Sequence, residues 1–345
     1  MASDARRTGV YFTHSSSLEH DPRVLMPGHP DTPERMLALE RMLASEGRLG
    51  WERREAPAAE RATLELVHSA RLVDQIEQLS LAGGGAIDAD TVVGEPSYRA
   101  ALHAAGGACE LVRVLLARET PFGFSMLRPS GHHAERDRAM GFCLLDNVAV
   151  AAALAIAELG AERVFVLDWD VHHGNGTAEI FRTRSDVLFA SIHQMPLYPG
   201  SGPLQDVGSG AGEGYTLNLP VPPGSEEELW LSLVEHVVVP AARAFAPDLV
   251  LVSAGFDGHC ADPLAGCELQ TSSFGELARH VRDLALACDA PLGLVLEGGY
   301  EPVSLAQSVR ETMLALGDEQ PPRSVTAELR ETAAAIEQLR SYWPL

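Results

Sequence analysis

Short runs of aliphatic and aromatic residues recur at 10–13, 51–54, 122–127, 164–169, 187–192, 216–219, 249–253 and 292–296, and helical patterns fill the intervals at 33–45, 70–81, 97–118, 145–159, 226–245, 272–288, 303–316 and 326–342. Most of the runs are apolar throughout rather than alternating, so both faces of each strand require cover. Strands separated by helical crossovers are the pattern of a parallel sheet, because a parallel neighbour cannot be reached through a tight turn. The weakest run is 51–54, which carries Arg53 and Arg54. Helix starts such as Ser225-Glu226-Glu227-Glu228 and Thr271-Ser272-Ser273 hold side chains that cap exposed N–H groups. No Pro/Ser/Gly linker divides the chain and no fixed-period repeat is visible. The pattern predicts one α/β domain over 1–345. The glycine-rich stretch Gly208 to Gly214 has no strand leading in and no helix leading out, so it reads as a surface loop rather than a dinucleotide-binding turn.

Charge narrows the partners. The 345 residues carry 48 Asp and Glu against 26 Lys and Arg, a formal net charge of −22. A phosphate backbone is bound by clustered basic side chains, and the basic clusters here are no longer than a pair such as Arg53-Arg54, which argues against nucleic acid. The longest apolar run, 148–157, is shorter than the roughly 20 residues a bilayer crossing needs, and the opening Met-Ala-Ser-Asp-Ala-Arg-Arg-Thr lacks an apolar signal core. Cys109, Cys143, Cys260, Cys267 and Cys288 are scattered, odd in number and without C-x-x-C spacing. They read as thiols in a reducing compartment. A cytoplasmic protein with no membrane partner is expected. The acidity is read as solubility, since no acidic run is tied to the strand ends.

Those strand ends carry the chemistry, as open parallel sheets place their ligands there. They are Arg128-Pro-Ser-Gly-His-His-Ala134, Leu167-Asp-Trp-Asp-Val-His-His-Gly-Asn-Gly176, Ser191-Ile-His193, Ser253-Ala-Gly-Phe-Asp257 and Leu296-Glu-Gly-Gly-Tyr300. Asp168, Asp170 and His172 lie two residues apart, and extended backbone sends alternate side chains to one side. Zinc accepts carboxylate oxygen and imidazole nitrogen, and a catalytic site keeps three protein ligands. Asp170 and His172 supply two and Asp257 the third. A lone strand-end Asp ordinarily caps a helix or pairs with Arg; D-x-D-x-H-H joined to a distant strand-end Asp asks for more. The adjacent His132 and His133 suit proton transfer, with Asp168 and Asn175 available to orient them. His173, His193 and His259 read as hydrogen-bonded core residues. Two glycines before Tyr300 let the chain turn its phenol over the strand end, a donor of the type an oxyanion needs.

In words and order, Gly131-His-His-Ala134, Met140-Gly-Phe-Cys143, Asp168 to Gly176, Gly255-Phe-Asp257 and Glu297-Gly-Gly-Tyr300 resemble the zinc-dependent histone deacetylase superfamily, as do His29-Pro-Asp-Thr-Pro-Glu-Arg35 and Tyr215 to Pro220. The resemblance covers about residues 9 to 320 by the strand placement. Asn175, in place of an acidic residue, is similar to the class II branch that includes bacterial deacetylase-like amidohydrolases. It implies the arginase/deacetylase fold, a single three-layer α/β/α domain with an eight-stranded, mostly parallel sheet. It implies Asp170, His172 and Asp257 as ligands of one zinc ion, His132 and His133 as the catalytic pair, and Tyr300 as the carbonyl-polarising group. It also implies one or two structural potassium ions. The first is held by Asp168, Ser191 and the carbonyls of Asp170, His172 and Ile192, the second by the carbonyls of Phe181, Arg184, Val187 and Tyr215. Gly141, Phe142 and Tyr198 are implied to flank a narrow channel, with Leu264 at its rim.

The implied activity is removal of acetyl or other acyl groups from lysine side chains by a metal-activated water. His132 beside the Asp168 carboxylate is expected to stay more cationic than His133, to which Asn175 offers only a dipole; which of the two is the general base is left open. An acetylpolyamine amidohydrolase is the alternative, although one such branch sets a glutamate where Leu264 stands. A catalytically silent acyl-lysine reader would be expected to lack His133, Tyr300 or Asp257. A binuclear manganese ureohydrolase would need further aspartates where Gly174 and His259 stand. The expected partners are acylated lysine peptides or proteins, or small acylated amines; homo-oligomer formation, and zinc against iron, are left open.

Overall fold

The computed structural model describes residues 8–325 and 329–345. Among them, eight strands form one sheet: β1 (Val10–Thr13), β2 (Glu52–Glu55), β5 (Phe122–Ser125), β6 (Val164–Asp168), β7 (Val187–Gln194), β8 (Thr216–Val221), β9 (Leu249–Ala254) and β10 (Leu292–Leu296). Two further strands, β3 (Gly84–Ala86) and β4 (Val92–Gly94), pair as a separate antiparallel hairpin. The sheet order is β2-β1-β5-β10-β9-β6-β7-β8, and every pairing in it is parallel.

Side-chain alternation along the strands separates two cores and makes the body three layers. Phe165 and Leu167 of β6, with Val250 and Val252 of β9, pack into the layer holding the helices Glu34–Ser45, Thr271–Ala287 and Pro302–Gly317. Val164 and Val166, with Leu249 and Leu251, pack on the opposite side under Ser97–Leu116 and Asn147–Glu158. Covered on both faces, the central strands are buried end to end, the reason their sequences are apolar rather than alternating.

Several boundaries differ from the sequence reading. β5 stops at Ser125 and β6 at Asp168, while β7 runs on to Gln194. The expected helix 226–245 is three pieces, Glu227–Leu233, a π-helical turn Val234–Val238 and Val239–Phe245. Pro240 has no N–H to donate and the wider turn precedes it. The helix Thr271–Ala287 is capped one residue earlier than expected, by a reciprocal box between Gln270 and Ser273. Of the expected helix 326–342, residues 326–328 lie outside the described residues and the helix itself is Arg330–Leu339. The glycine-rich loop holds only a short 3₁₀ turn, Gly210–Gly212. No helix among the described residues is long and apolar enough to cross a membrane.

Candidate active site

The order β5-β10-β9-β6 places four strand ends side by side, and their extensions carry the polar motifs. The ligand atoms of Asp170, His172 and Asp257 lie within 4.8 Å of one another, all three residues buried. His172 Nδ1 faces both carboxylates, 3.2 Å from Asp170 Oδ1 and 3.1 Å from Asp257 Oδ2. Backbone donors fix the acids: Gly298 N to Asp170 Oδ2 at 2.8 Å and Val171 N to Asp257 Oδ1 at 3.0 Å. Two glycines make room for the cluster. A Cβ on Gly298 would lie 2.0 Å from Asp257 Oδ2, and one on Gly255 would lie 2.1 Å from Asp170 Oδ2. Burial opposes charge on His172, yet its bonds to Asp170 and Asp257 lift its pKa to about 10. Two buried carboxylates thus draw a positive charge into their midst, and a divalent cation fits this donor set of two oxygens and one imidazole nitrogen. A second buried trio, His132, Cys143 and Glu297, is equally close. Burial pushes the Cys143 thiol well up and Glu297 to about 8, so it offers neither thiolate nor ready carboxylate.

The two histidines stand beside this group with their rings 4.0 Å apart. His132 Nδ1 is 2.9 Å from Asp168 Oδ2, and His133 Nδ1 is 2.8 Å from Asn175 Oδ1. Asn175 cannot flip freely, because its Nδ2 donates to Glu135 Oε1 at 2.8 Å. Its oxygen therefore faces His133, which must donate from Nδ1 and keep the Nε2 lone pair free. Burial lowers the pKa of His133 well below the usual imidazole value, reinforced by His132 and His172. Burial also opposes charge on His132, but Asp168 and Asp170 outweigh it and hold that pKa well above the usual value. Glu297 positions the pair from below, its Oε2 accepting from Gly131 N at 2.7 Å and His132 N at 3.2 Å.

Tyr300 is anchored on both sides. Its N–H donates to Asp262 Oδ2 at 2.6 Å, and the Arg35 guanidinium carbon lies 4.8 Å from its ring centroid. Arg35 also donates to Gly299 O at 2.6 Å and to Glu297 O, clasping the Gly-Gly-Tyr turn. Burial holds the phenol pKa well above the usual range, against the pull of Arg35, so the hydroxyl keeps its proton. Behind it, Asp31 accepts from Arg35 Nη1 at 2.7 Å and from Arg128 Nε at 2.6 Å, all three side chains buried.

Aromatic rings pack around the histidine pair and Tyr300. Met140 and Cys143 bond each other's backbone across Gly141 and Phe142, both at positive φ, which thrusts Phe142 outward. The Phe142 and Tyr300 ring centroids are 5.7 Å apart, and Tyr198 meets the rings of His133 and His172 at 5.2 and 6.5 Å. Gly141 is tight against both sides: its Cβ would lie 2.4 Å from His133 and 3.0 Å from Tyr198. Leu264 is half-buried, its N–H held at 3.0 Å by Asp262 Oδ1, the acid whose other oxygen holds Tyr300. The hairpin β3–β4 meets the Gly141–Phe142 turn, with Thr91 Oγ1 accepting from Phe142 N at 3.1 Å.

The residues expected to bind potassium fall in two places. Asp168 and Ser191 are register partners on β6 and β7, with Ile192 next along. Phe181 ends the helix Asn175–Phe181, Arg184 follows it, Val187 opens β7, and Tyr215 O already accepts from Phe189 N at 2.9 Å. The three histidines expected in the core are hydrogen-bonded there: His173 to Ser201, His193 to Gly202 O and His259 to Thr271. The sequence reading gave no role to Asp31, Arg35, Arg128, Asp262 or Glu297. The one signal was the charged residue set inside otherwise buried motifs, as Glu297 follows an apolar strand.

The histone deacetylase domain model matches residues 29–316. Relatives include a probable deacetylase from Archaeoglobus fulgidus, 39% identical over 298 residues, covering 85% of this chain and 81% of the relative. A histone deacetylase-like amidohydrolase from Pseudomonas aeruginosa is 41% identical over 276 residues, covering 79% and 73%. Among solved structures, the HDA15 HD domain superposes with a TM-score of 0.91 at 35% identity, covering 99% of this chain and 96% of that one. Fold and site together define a hydrolase of the deacetylase and amidohydrolase class, acting on acylated substrates. The chain belongs to the histone deacetylase family.

Proposed function

We propose that this protein is a zinc-dependent lysine deacylase, working in the cytoplasm on acylated lysine side chains of peptides or proteins. The observation that supports the reading is the buried Asp170–His172–Asp257 group lying directly against the two histidines whose neighbours set opposite charge states. Asp170, His172 and Asp257 hold the zinc. When bound, zinc supplies Lewis-acid polarisation of the acyl carbonyl and a water made acidic near neutral pH. Phe142 and Tyr198 bind the alkyl stem of the substrate and exclude water from it. His133 Nε2, its lone pair left free by the Nδ1–Asn175 bond, takes the proton of the attacking water. His132, charged beside Asp168, supplies positive potential at the reacting centre and can release a proton to the leaving amine. Tyr300 donates its retained hydroxyl proton to the developing oxyanion. One or two potassium ions at Asp168, Ser191 and Ile192, and at the carbonyls of Phe181, Arg184, Val187 and Tyr215, complete the reading.

The test is a turnover panel of acetyl-lysine peptides, longer acyl-lysines and acetylpolyamines, run with the zinc-loaded protein. The reading expects specificity constants at least about tenfold higher on an acyl-lysine peptide than on any acetylpolyamine, a gap of about 1.4 kcal/mol. The reverse order would assign the site to small amines instead.

A further inference from the structure

A surface cavity of about 630 Å³ opens at the β2 edge of the sheet, outside the histidine and metal-ligand group. Its walls include Tyr11 and Thr13 of β1, Arg53 of β2, Glu40 and Leu43 of the helix Glu34–Ser45, and Arg48 just beyond that helix. Register places Tyr11 directly opposite Arg53, so their side chains share a face. Neither Arg48 nor Arg53 has a carboxylate within ion-pair distance among the described residues. The contrast is with Arg54 on the same strand, which bridges Glu52 and Glu119. Arg53 spends only its Nε, on Thr13 Oγ1 at 2.9 Å, and keeps its outer donors free. Tyr11 is 2% exposed, yet its hydroxyl has no hydrogen-bond partner among the described residues.

The Tyr11 hydroxyl bonds no group among the described residues and reaches the open cavity, where it is left to donate to whatever enters. Two unpaired guanidiniums beside it offer the forked donors that match a carboxylate or phosphate. Arg48 is held there by a turn in which Gly47, Arg48, Leu49 and Gly50 all have positive φ, a conformation non-glycine residues adopt at a cost. Glu40 on the facing wall disfavours a bare anion and favours one that carries its own donor. We propose that this cavity is a second ligand site, separate from acyl hydrolysis, for a small organic carboxylate or phosphate ester. Its oxyanion lies between Arg48, Arg53 and the Tyr11 hydroxyl, with a hydroxyl on Glu40 and a short carbon skeleton against Leu43.

Equilibrium dialysis of radiolabelled glycerol 3-phosphate and malate against the zinc-loaded full chain tests it, the two probes separating phosphate from carboxylate. Binding at the zinc is common to parent and variants, so the difference in stoichiometry reports the cavity. The parent is expected to bind one equivalent more of at least one probe than the double variant Arg48→Ala/Arg53→Ala, whose acyl-lysine turnover without probe stays within about twofold of the parent. Tyr11→Phe, which removes one atom, is expected to weaken that extra equivalent about three- to tenfold, the scale of one solvent-accessible hydrogen bond. Equal stoichiometry in parent and double variant for both probes, or full affinity in Tyr11→Phe, overturns the proposal.

Discussion

Tyr300 keeps its proton because burial pushes the phenol well above its usual pKa, and Arg35 fixes the ring without drawing that proton away. Tyr300→Phe is therefore expected to retain the metal while turnover falls by about two to three orders of magnitude, the scale of one oxyanion donor; unchanged turnover would remove the phenol from the chemistry. Asp257→Ala leaves Asp170 and His172 alone, and two ligands make a poor zinc site. Metal and activity should disappear together, and full occupancy by elemental analysis in that variant would refute the ligand assignment. At this scale much of the site was legible. Asp170, His172 and Asp257 stand at strand ends in ligand residue types, and the histidines are adjacent. The role of Arg35 was not legible: it stands in the His29–Arg35 motif with Asp31 four residues before it, but the Gly299 and Glu297 carbonyls it clasps lie 264 and 262 residues away.

Asp31 shows what elements contribute. One carboxylate ties the start of the helix Glu34–Ser45 to the segment after β5, through Arg35 and Arg128. Burial alone would raise its pKa, but the Arg128 and Arg35 charges hold it well below the usual carboxylate value. The stabilisation is then fully present above the unfolded value of about 3.9 and is lost as pH falls below it towards the folded value. Asp31→Asn should cost roughly 3 to 5 kcal/mol at pH 7, since two buried arginines lose their counter-charge. In urea denaturation the gap between parent and variant should narrow once pH falls below about 4; a gap that is absent at pH 7 would show that the arginines find other partners. The eight sheet strands could be read from apolar runs, even the weak 51–54. The hairpin β3–β4 could not. Gly84-Gly85-Ala86 has no β-branched residue to signal a strand, and the hairpin is held by tertiary contacts such as Thr91 with Phe142.

At the scale of the whole molecule, apolar runs cannot state which strand lies beside which, and strand order is what assembles the site. β5, β10, β9 and β6 are neighbours although β10 comes last in the chain, and only this order brings His132, Asp170, Asp257 and Tyr300 to one place. Asp262 likewise joins distant pieces, its two oxygens accepting from Leu264 N and Tyr300 N, and the proposed channel rim rests on that link. Leu264→Glu should raise acetylpolyamine turnover relative to acetyl-lysine peptide turnover. A partly desolvated charge pair with the distal ammonium contributes on the order of 1 to 3 kcal/mol. A ratio of specificity constants within about twofold of the parent, under roughly 0.5 kcal/mol, would take Leu264 off the rim. The central claim is that the buried Asp170–His172–Asp257 group holds the ion on which hydrolysis depends. Its most direct measurement is turnover of an acetyl-lysine peptide during removal and stoichiometric return of zinc. The expected result is loss of activity on chelation and full recovery at about one zinc per chain, as three protein ligands bind one ion. Turnover that persists in metal-free protein would contradict it.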